Sequence, residues 1–113
     1  MNNSRYALLL WYDGSPFHGF ARQPNVPTIE GELLLALKKT RLLPDLSQAR
    51  PSVASRTDKK VHSLGNVYSI SLSAPPDIEK INEFLPPSIG VLSVISVGNN
   101  FSARRKALAK RYI

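Results

Sequence analysis

A run of seven residues at positions 6–12, Tyr-Ala-Leu-Leu-Leu-Trp-Tyr, constrains the fold more than any other feature of the sequence. A strand made of these residues has no face suited to water, so it belongs at the centre of a sheet, covered on both sides. The run stops at Asp13-Gly14-Ser15-Pro16, a strong turn signal in which Asp13 reads as a turn residue. The loop that follows carries Phe17, His18, Phe20, Arg22 and Gln23 and continues to Pro27. Loops on rigid scaffolds often carry binding residues, and Arg22 and Gln23 are donors suited to RNA. Phe17 and Phe20 can stack on a base or pin the loop to the core, and the core role is preferred.

Thr28 is placed to cap a helix, with Glu30 and Glu32 near the positive end of its dipole. Ile29, Leu33, Ala36 and Leu37 recur at helical spacing, and Lys38, Lys39 and Arg41 sit at the far end. Residues 42–49 read as a loop and residues 50–55 as a weak strand, with Pro51 suited to its edge or first position. Over residues 66–72, Tyr68, Ile70 and Leu72 alternate with Val67, Ser69 and Ser71, predicting a half-buried strand with one polar face. Asp77 can cap a second helix with Ile78, Ile81, Phe84 and Leu85 on its inner face, closed by Pro86-Pro87. Residues 91–97 are rich in β-branched side chains and read as another strand, before a turn at Gly98-Asn99-Asn100. The resulting order, β-α-β-β-α-β with a further strand at the end, predicts an α+β fold. Its form is a ferredoxin-like antiparallel sheet with both helices packed on one face.

With 113 residues, the chain is expected to form a single domain over residues 1–113 with one modest core. No apolar run approaches the length of a membrane span and no signal-peptide pattern appears, so no membrane partner is expected. The lack of Cys removes disulfides and thiolate metal sites and is compatible with a cytoplasmic protein. His18 and His62 do not make a zinc site, so no metal is expected. Fifteen Lys and Arg against eight Asp and Glu leave a net charge of +7 and a pI near 10.1. Such a balance favours a polyanion as partner, because neutralising phosphates releases condensed counterions. An indifferent basic surface is the plainer alternative.

The stretch at residues 55–65, Ser-Arg-Thr-Asp-Lys-Lys-Val-His-Ser-Leu-Gly, sets one carboxylate, Asp58, among Arg56, Lys59 and Lys60. Neighbouring cations favour the charged form of a carboxylate. Asp58 can therefore serve as a nucleophile or base, or it can be an ordinary aspartate in a polar turn. Arg56 and Asp58 can equally form a surface ion pair worth about 0–1 kcal/mol. His62 is given no chemical role.

Arg-Thr-Asp followed by Val-His and Leu-Gly resembles the catalytic segment of the TruA family of tRNA pseudouridine synthases. The usual family form is close to Gly-Arg-Thr-Asp-x-Gly-Val-His-Ala, from which this chain departs at Ser55, Lys60 and Ser63. Residues 12–37 add a second match, Tyr-Asp-Gly-Ser-x-Phe-x-Gly, then Gln-Pro, then Thr-Ile-Glu-Gly-x-Leu-x-x-Ala-Leu. A third lies at Phe101-Ser102-Ala103-Arg104, then Ala107, Lys110, Arg111 and Tyr112, similar to the family's Phe-x-Ala-Arg-x-x-Ala-x-x-Arg-x-Tyr strand, with Arg105 where an aromatic is usual. The three occur in the family's order and together cover nearly the whole chain.

What the resemblance implies is specific. The chain is expected to be the amino-terminal half of a longer synthase, one half of a two-domain fold in which two similar halves face each other across a basic cleft. The carboxy-terminal half is expected to lie outside this chain, which alone is expected to be inactive. Asp58 would be the catalytic carboxylate, assisted by Arg56. Tyr112 would stack on the uracil, and Arg22, Gln23, Lys59, Lys60, Arg104 and Arg105 would hold the RNA. The substrate would be tRNA, with the anticodon stem-loop as the expected location, no cofactor would be required, and a homodimer is expected. The alternative is a non-catalytic basic RNA-binding domain, which needs the charge but not Asp58. RNA-recognition modules share the element order, but their aromatic strand signature is missing here.

Overall fold

The structure is a computed structural model that describes residues 3–54 and 63–104. In chain order its elements are β1 (Ser4–Tyr12), α1 (Ile29–Lys39), α2 (Leu46–Ala49), β2 (Ser52–Val53), β3 (Ser63–Leu72), α3 (Ile78–Phe84) and β4 (Ile89–Val97). The strands form one sheet in the order β2-β3-β1-β4, each pair of neighbours antiparallel. With the helices on one face, this is the expected α+β arrangement, and the apolar run at 6–12 lies at its centre.

Strand alternation explains how β1 divides the interior. Tyr6, Leu8, Leu10 and Tyr12 are buried in one cluster with Ile29, Leu33 and Leu37 of α1, Ile81 of α3, and Tyr68, Ile70 and Leu72 of β3. A fully buried side chain of this size contributes about 1.5–3 kcal/mol. On the other face Arg5 and Ala7 are buried, whereas Leu9 and Trp11 are only half-covered, so the double covering is complete at one end of the strand only. Trp11 pairs across the sheet with Gly90. A Cβ at position 90 would stand 1.9 Å from the Trp11 Nε1, so the indole occupies the space where a side chain would begin.

Local chemistry sets the helix ends. Thr28 has extended backbone and its Oγ1 accepts from the Gly31 N–H at 3.1 Å, the expected cap of α1. At the other end Arg41 takes a left-handed conformation with φ 62°. It donates its N–H to the Lys38 carbonyl, while the Leu42 N–H reaches the Leu37 carbonyl, closing a Schellman turn at a position that usually holds glycine. Asp77 caps α3 as expected, its Oδ1 accepting from the N–H groups of Glu79 and Lys80. Asp13 is the turn residue anticipated, with its Oδ1 accepting from the Ser15 N–H at 2.9 Å.

Four expectations are corrected. The supposed loop at 42–49 contains the short helix α2. Of the weak strand expected at 50–55, the described residues keep Ser52 and Val53, because Arg50 has φ 46° and cannot extend the ladder. The polar face of β3 is not open to water, since Ser69 and Ser71 are buried. Phe84 is 45% exposed rather than turned inward, because it ends a short helix whose interior contacts come from Ile81 and Leu85. Its ring lies 5.9 Å from the Lys39 Nζ. The expected final strand falls largely on residues 105–113, outside the described residues, and the backbone at Ala103 and Arg104 is helical.

What covers Ser69 and Ser71 is Arg5. Its Nη1 donates to the Ala49 carbonyl at 3.2 Å and to Ser71 Oγ at 3.1 Å. Its Nη2 donates to the Arg50 carbonyl at 2.8 Å and to Ser69 Oγ at 3.2 Å, and its Nε to the Phe101 carbonyl. Replacing Arg5 with Met keeps much of the aliphatic volume but strands these acceptors. Arg5→Met is expected to cost roughly 3–5 kcal/mol, read as a lower urea midpoint at unchanged m-value. A loss below about 1 kcal/mol would contradict this account.

Candidate active site

Asp58, Arg56, Lys59 and Lys60 lie on residues 55–62, and Arg105 and Tyr112 on residues 105–113, so these six lie outside the described residues. The remaining three sequence-derived positions, Arg22, Gln23 and Arg104, are described. Two of them come together. Arg22 and Arg104 line a cleft of about 180 Å³ with Phe20, Ala21, Glu30, Pro51, Ser52 and Val53. Its walls are therefore the loop after β1, the first turn of α1, strand β2 and the segment after β4. Ala54, next after β2, leads into the segment that carries Asp58.

Gln23 does not line this cleft. Its Nε2 donates to the His18 carbonyl at 2.9 Å and closes the loop on itself. Phe17 and Phe20 are buried, which settles their role as anchors of the loop in the core. The Phe20 ring lies 5.6 Å from that of Tyr12 and 5.9 Å from that of Tyr68, both tilted by about 50°. Backbone bonds complete the fastening. The His18 N–H donates to the Pro27 carbonyl at 2.9 Å, and the N–H groups of Ile29 and Glu30 donate to the Gly19 and Phe20 carbonyls at 3.3 and 2.9 Å. Two of the free N–H groups at the start of α1 are thus spent on the loop that carries Arg22.

Glu30 is the residue that the sequence argument undervalued. Its carboxylate is not a solvated partner of the helix dipole but a buried acceptor, with its side chain only 9% exposed. Oε1 accepts from the Arg22 backbone N–H at 3.0 Å. Oε2 accepts from Arg22 Nη1 at 3.1 Å and from the Tyr68 hydroxyl at 2.6 Å. Helical spacing carried a signal for this: positions three, four and seven beyond Glu30 are Leu33, Leu34 and Leu37, all buried. The Arg22 side chain is 47% exposed, so it is held at one edge and open to the cleft at the other.

At the far side of the cleft, the Arg104 N–H donates to Ser52 Oγ at 3.3 Å, and the Ala103 N–H donates to Ser69 Oγ at 3.1 Å. Ser52 Oγ also bonds Ser102 Oγ at 2.9 Å. The arrangement brings Arg22 and Arg104 to one small polar recess, and arginine side chains are donors matched to phosphate oxygens. Among the described residues, no helix is long and apolar enough to cross a membrane.

No family model matches the chain. Among curated proteins, it is 45% identical over 100 residues to tRNA pseudouridine synthase A of Methanosphaera stadtmanae, covering 88% of this chain and 36% of the relative. It is 40% identical over 110 residues to tRNA pseudouridine synthase A of Methanobrevibacter smithii, covering 96% and 38%. It is 38% identical over 115 residues to tRNA pseudouridine synthase 1 of Schizosaccharomyces pombe, covering 96% and 22%. The chain thus spans well under half the length of these relatives.

Burial pushes the ionisation of the Tyr68 hydroxyl well above its ordinary value of 10.0, and the charge of Glu30 and the bond to it push the same way. The neutral donor is therefore held in the folded state. The unfolded chain releases this proton first, so the contribution of Tyr68 is fully present below pH 10 and is lost as pH rises beyond it. The loss approaches about 1.4 kcal/mol per pH unit. In urea titrations at pH values on either side of 10, Tyr68→Phe is expected to lose less stability per pH unit than the parent by that amount. Identical slopes would contradict the neutral, buried hydroxyl.

Proposed function

Because this chain belongs to the TruA family of tRNA pseudouridine synthases, we propose that it supplies the catalytic aspartate and part of the RNA cleft of an enzyme that isomerises uridine to pseudouridine in tRNA. The carrying observation is the likeness to synthases over 88–96% of the chain, with the Asp58 motif and its two companion motifs in order. The cleft between Arg22 and Arg104, beside the entry to the Asp58 segment, supports the same reading. Since the relatives are much longer, the activity proposed is that of the full-length gene product, acting on the anticodon stem-loop.

The reaction breaks the N1–C1′ bond, turns the uracil, and joins C1′ to C5, whose proton leaves to solvent. The target base must first leave its stack, at about a few kcal/mol. Asp58 either attacks C1′ to form a covalent sugar ester or removes the 2′ proton so that a glycal forms. Arg56, two residues away in extended chain, would share its side, pairing with Asp58 or filling the space of the flipped base. Tyr112 stacks on the uracil, and Lys59, Lys60, Arg22, Arg104 and Arg105 bind phosphates, fixing register without reading sequence.

The test is release of tritium from tRNA labelled at uridine C5, run with the full-length gene product, its Asp58→Ala variant and the 113-residue chain. Expected are release by the first, a fall of more than about a thousand-fold in the second at retained tRNA affinity, and little or none from the third. Undiminished release by Asp58→Ala would overturn the assignment. Binding of tRNA without release by any of them would leave a non-catalytic RNA-binding domain as the better reading.

A further inference from the structure

We propose that Glu30 is a positioning residue for RNA binding: its buried carboxylate holds Arg22 across the cleft from Arg104, so that the two arginines grip one backbone phosphate. The inference rests on the reading of RNA as the ligand and adds to it a residue outside the basic set.

Three bonds make the case. Glu30 fixes Arg22 twice, once at the backbone N–H and once at Nη1, so both the start and the end of the side chain are set. Free arginine side chains lose substantial rotamer entropy when they grip an anion, and one already anchored loses less. The third bond, from Tyr68, holds the carboxylate itself, with its donor on the rigid third strand rather than on the loop. Glu30 leaves the outer part of the guanidinium free, since the Arg22 side chain remains 47% exposed. Across the recess Arg104 is exposed and its backbone is tied to Ser52. A carboxylate beside a polyanion site would ordinarily weaken binding by repulsion. Here the carboxylate lines the cleft with only 9% of its side chain exposed, and its oxygens already accept from Arg22 and Tyr68.

Opposing signs make the idea testable. If Glu30 acts only as a negative charge, Glu30→Gln raises the net positive charge and tightens tRNA binding. If it positions Arg22, the same change weakens binding. The experiment measures tRNA affinity across a salt series for the full-length gene product and for Glu30→Gln, Arg22→Ala and their double variant, each checked for folding by its melting transition. Glu30→Asp joins the set, because it keeps the charge but shortens the reach. Should Glu30→Gln fail to fold, Glu30→Asp gives the reading.

Expected is a loss of roughly three- to ten-fold in Glu30→Gln, Glu30→Asp and Arg22→Ala. In Glu30→Gln and Arg22→Ala, the slope of log affinity against log salt falls by close to one phosphate contact, about 0.9. The double variant should bind no more weakly than Arg22→Ala, because the effect of Glu30 passes through Arg22. Unchanged or tighter binding by Glu30→Gln, or losses that add in the double variant, would overturn the positioning role. If the parent protein itself shows no salt-dependent affinity for tRNA, the RNA reading falls and this inference with it; a failure confined to the variants leaves that reading intact.

Discussion

A single guanidinium group joins the parts of this fold that the sheet alone does not hold. Arg5 is buried on the face of β1 opposite Tyr6 and Leu8, and its donors reach the end of α2, the residue after it, two serines of β3 and the carbonyl of Phe101. Hydrogen bonds from a charged donor are among the stronger ones, and their acceptors are costly to leave unpaired once buried. This explains why β2 can be only two residues long. The chain at Arg50 is held by Arg5 rather than by a ladder, and the Arg50 side chain in turn donates to the Asn99 carbonyl at 2.7 Å. The two segments that flank the cleft on one side, β2 and residues 101–104, are thereby fixed to the same strand.

The other side of the cleft is built on a different principle. There a helix start supplies the fixed points. The loop after β1 is anchored below by Phe17 and Phe20 in the core and above by the first turn of α1, whose N–H groups and Glu30 carboxylate meet it directly. A loop of this length held at so many points behaves as part of the scaffold, which is the condition for presenting a side chain precisely.

Much of this architecture is legible in the sequence. The apolar run at 6–12 could only be a central strand, Thr28 and Asp77 announced their helices, and the paired prolines closed the second. Polar groups at buried positions are not legible in this way. Arg5 stands at the head of an apolar strand, where charge usually marks the strand's exit into water. Ser69 and Ser71 alternate with large apolar residues, a pattern that normally means one face is wet. Neither can be read correctly alone, because the serines are dry only when the arginine crosses them. Glu30 was hidden in the same way, since acidic residues in a first helical turn already have a sufficient explanation in the dipole. The short helix α2 and the left-handed Arg50 came from local geometry that no periodicity announces. Of the site, the basic positions and the motif around Asp58 were visible as chemistry, whereas the convergence of Arg22 with Arg104 depends on elements far apart in the chain.

The contact between Trp11 and Gly90 ties two neighbouring strands by volume instead of by bonding. The indole lies where the first carbon of any side chain at position 90 would have to sit. Position 90 is therefore not free to drift by itself. A lineage that acquires a side chain at 90 must first or simultaneously give up the bulk at 11, so the history of this strand pair is expected to be written in joint replacements rather than independent ones.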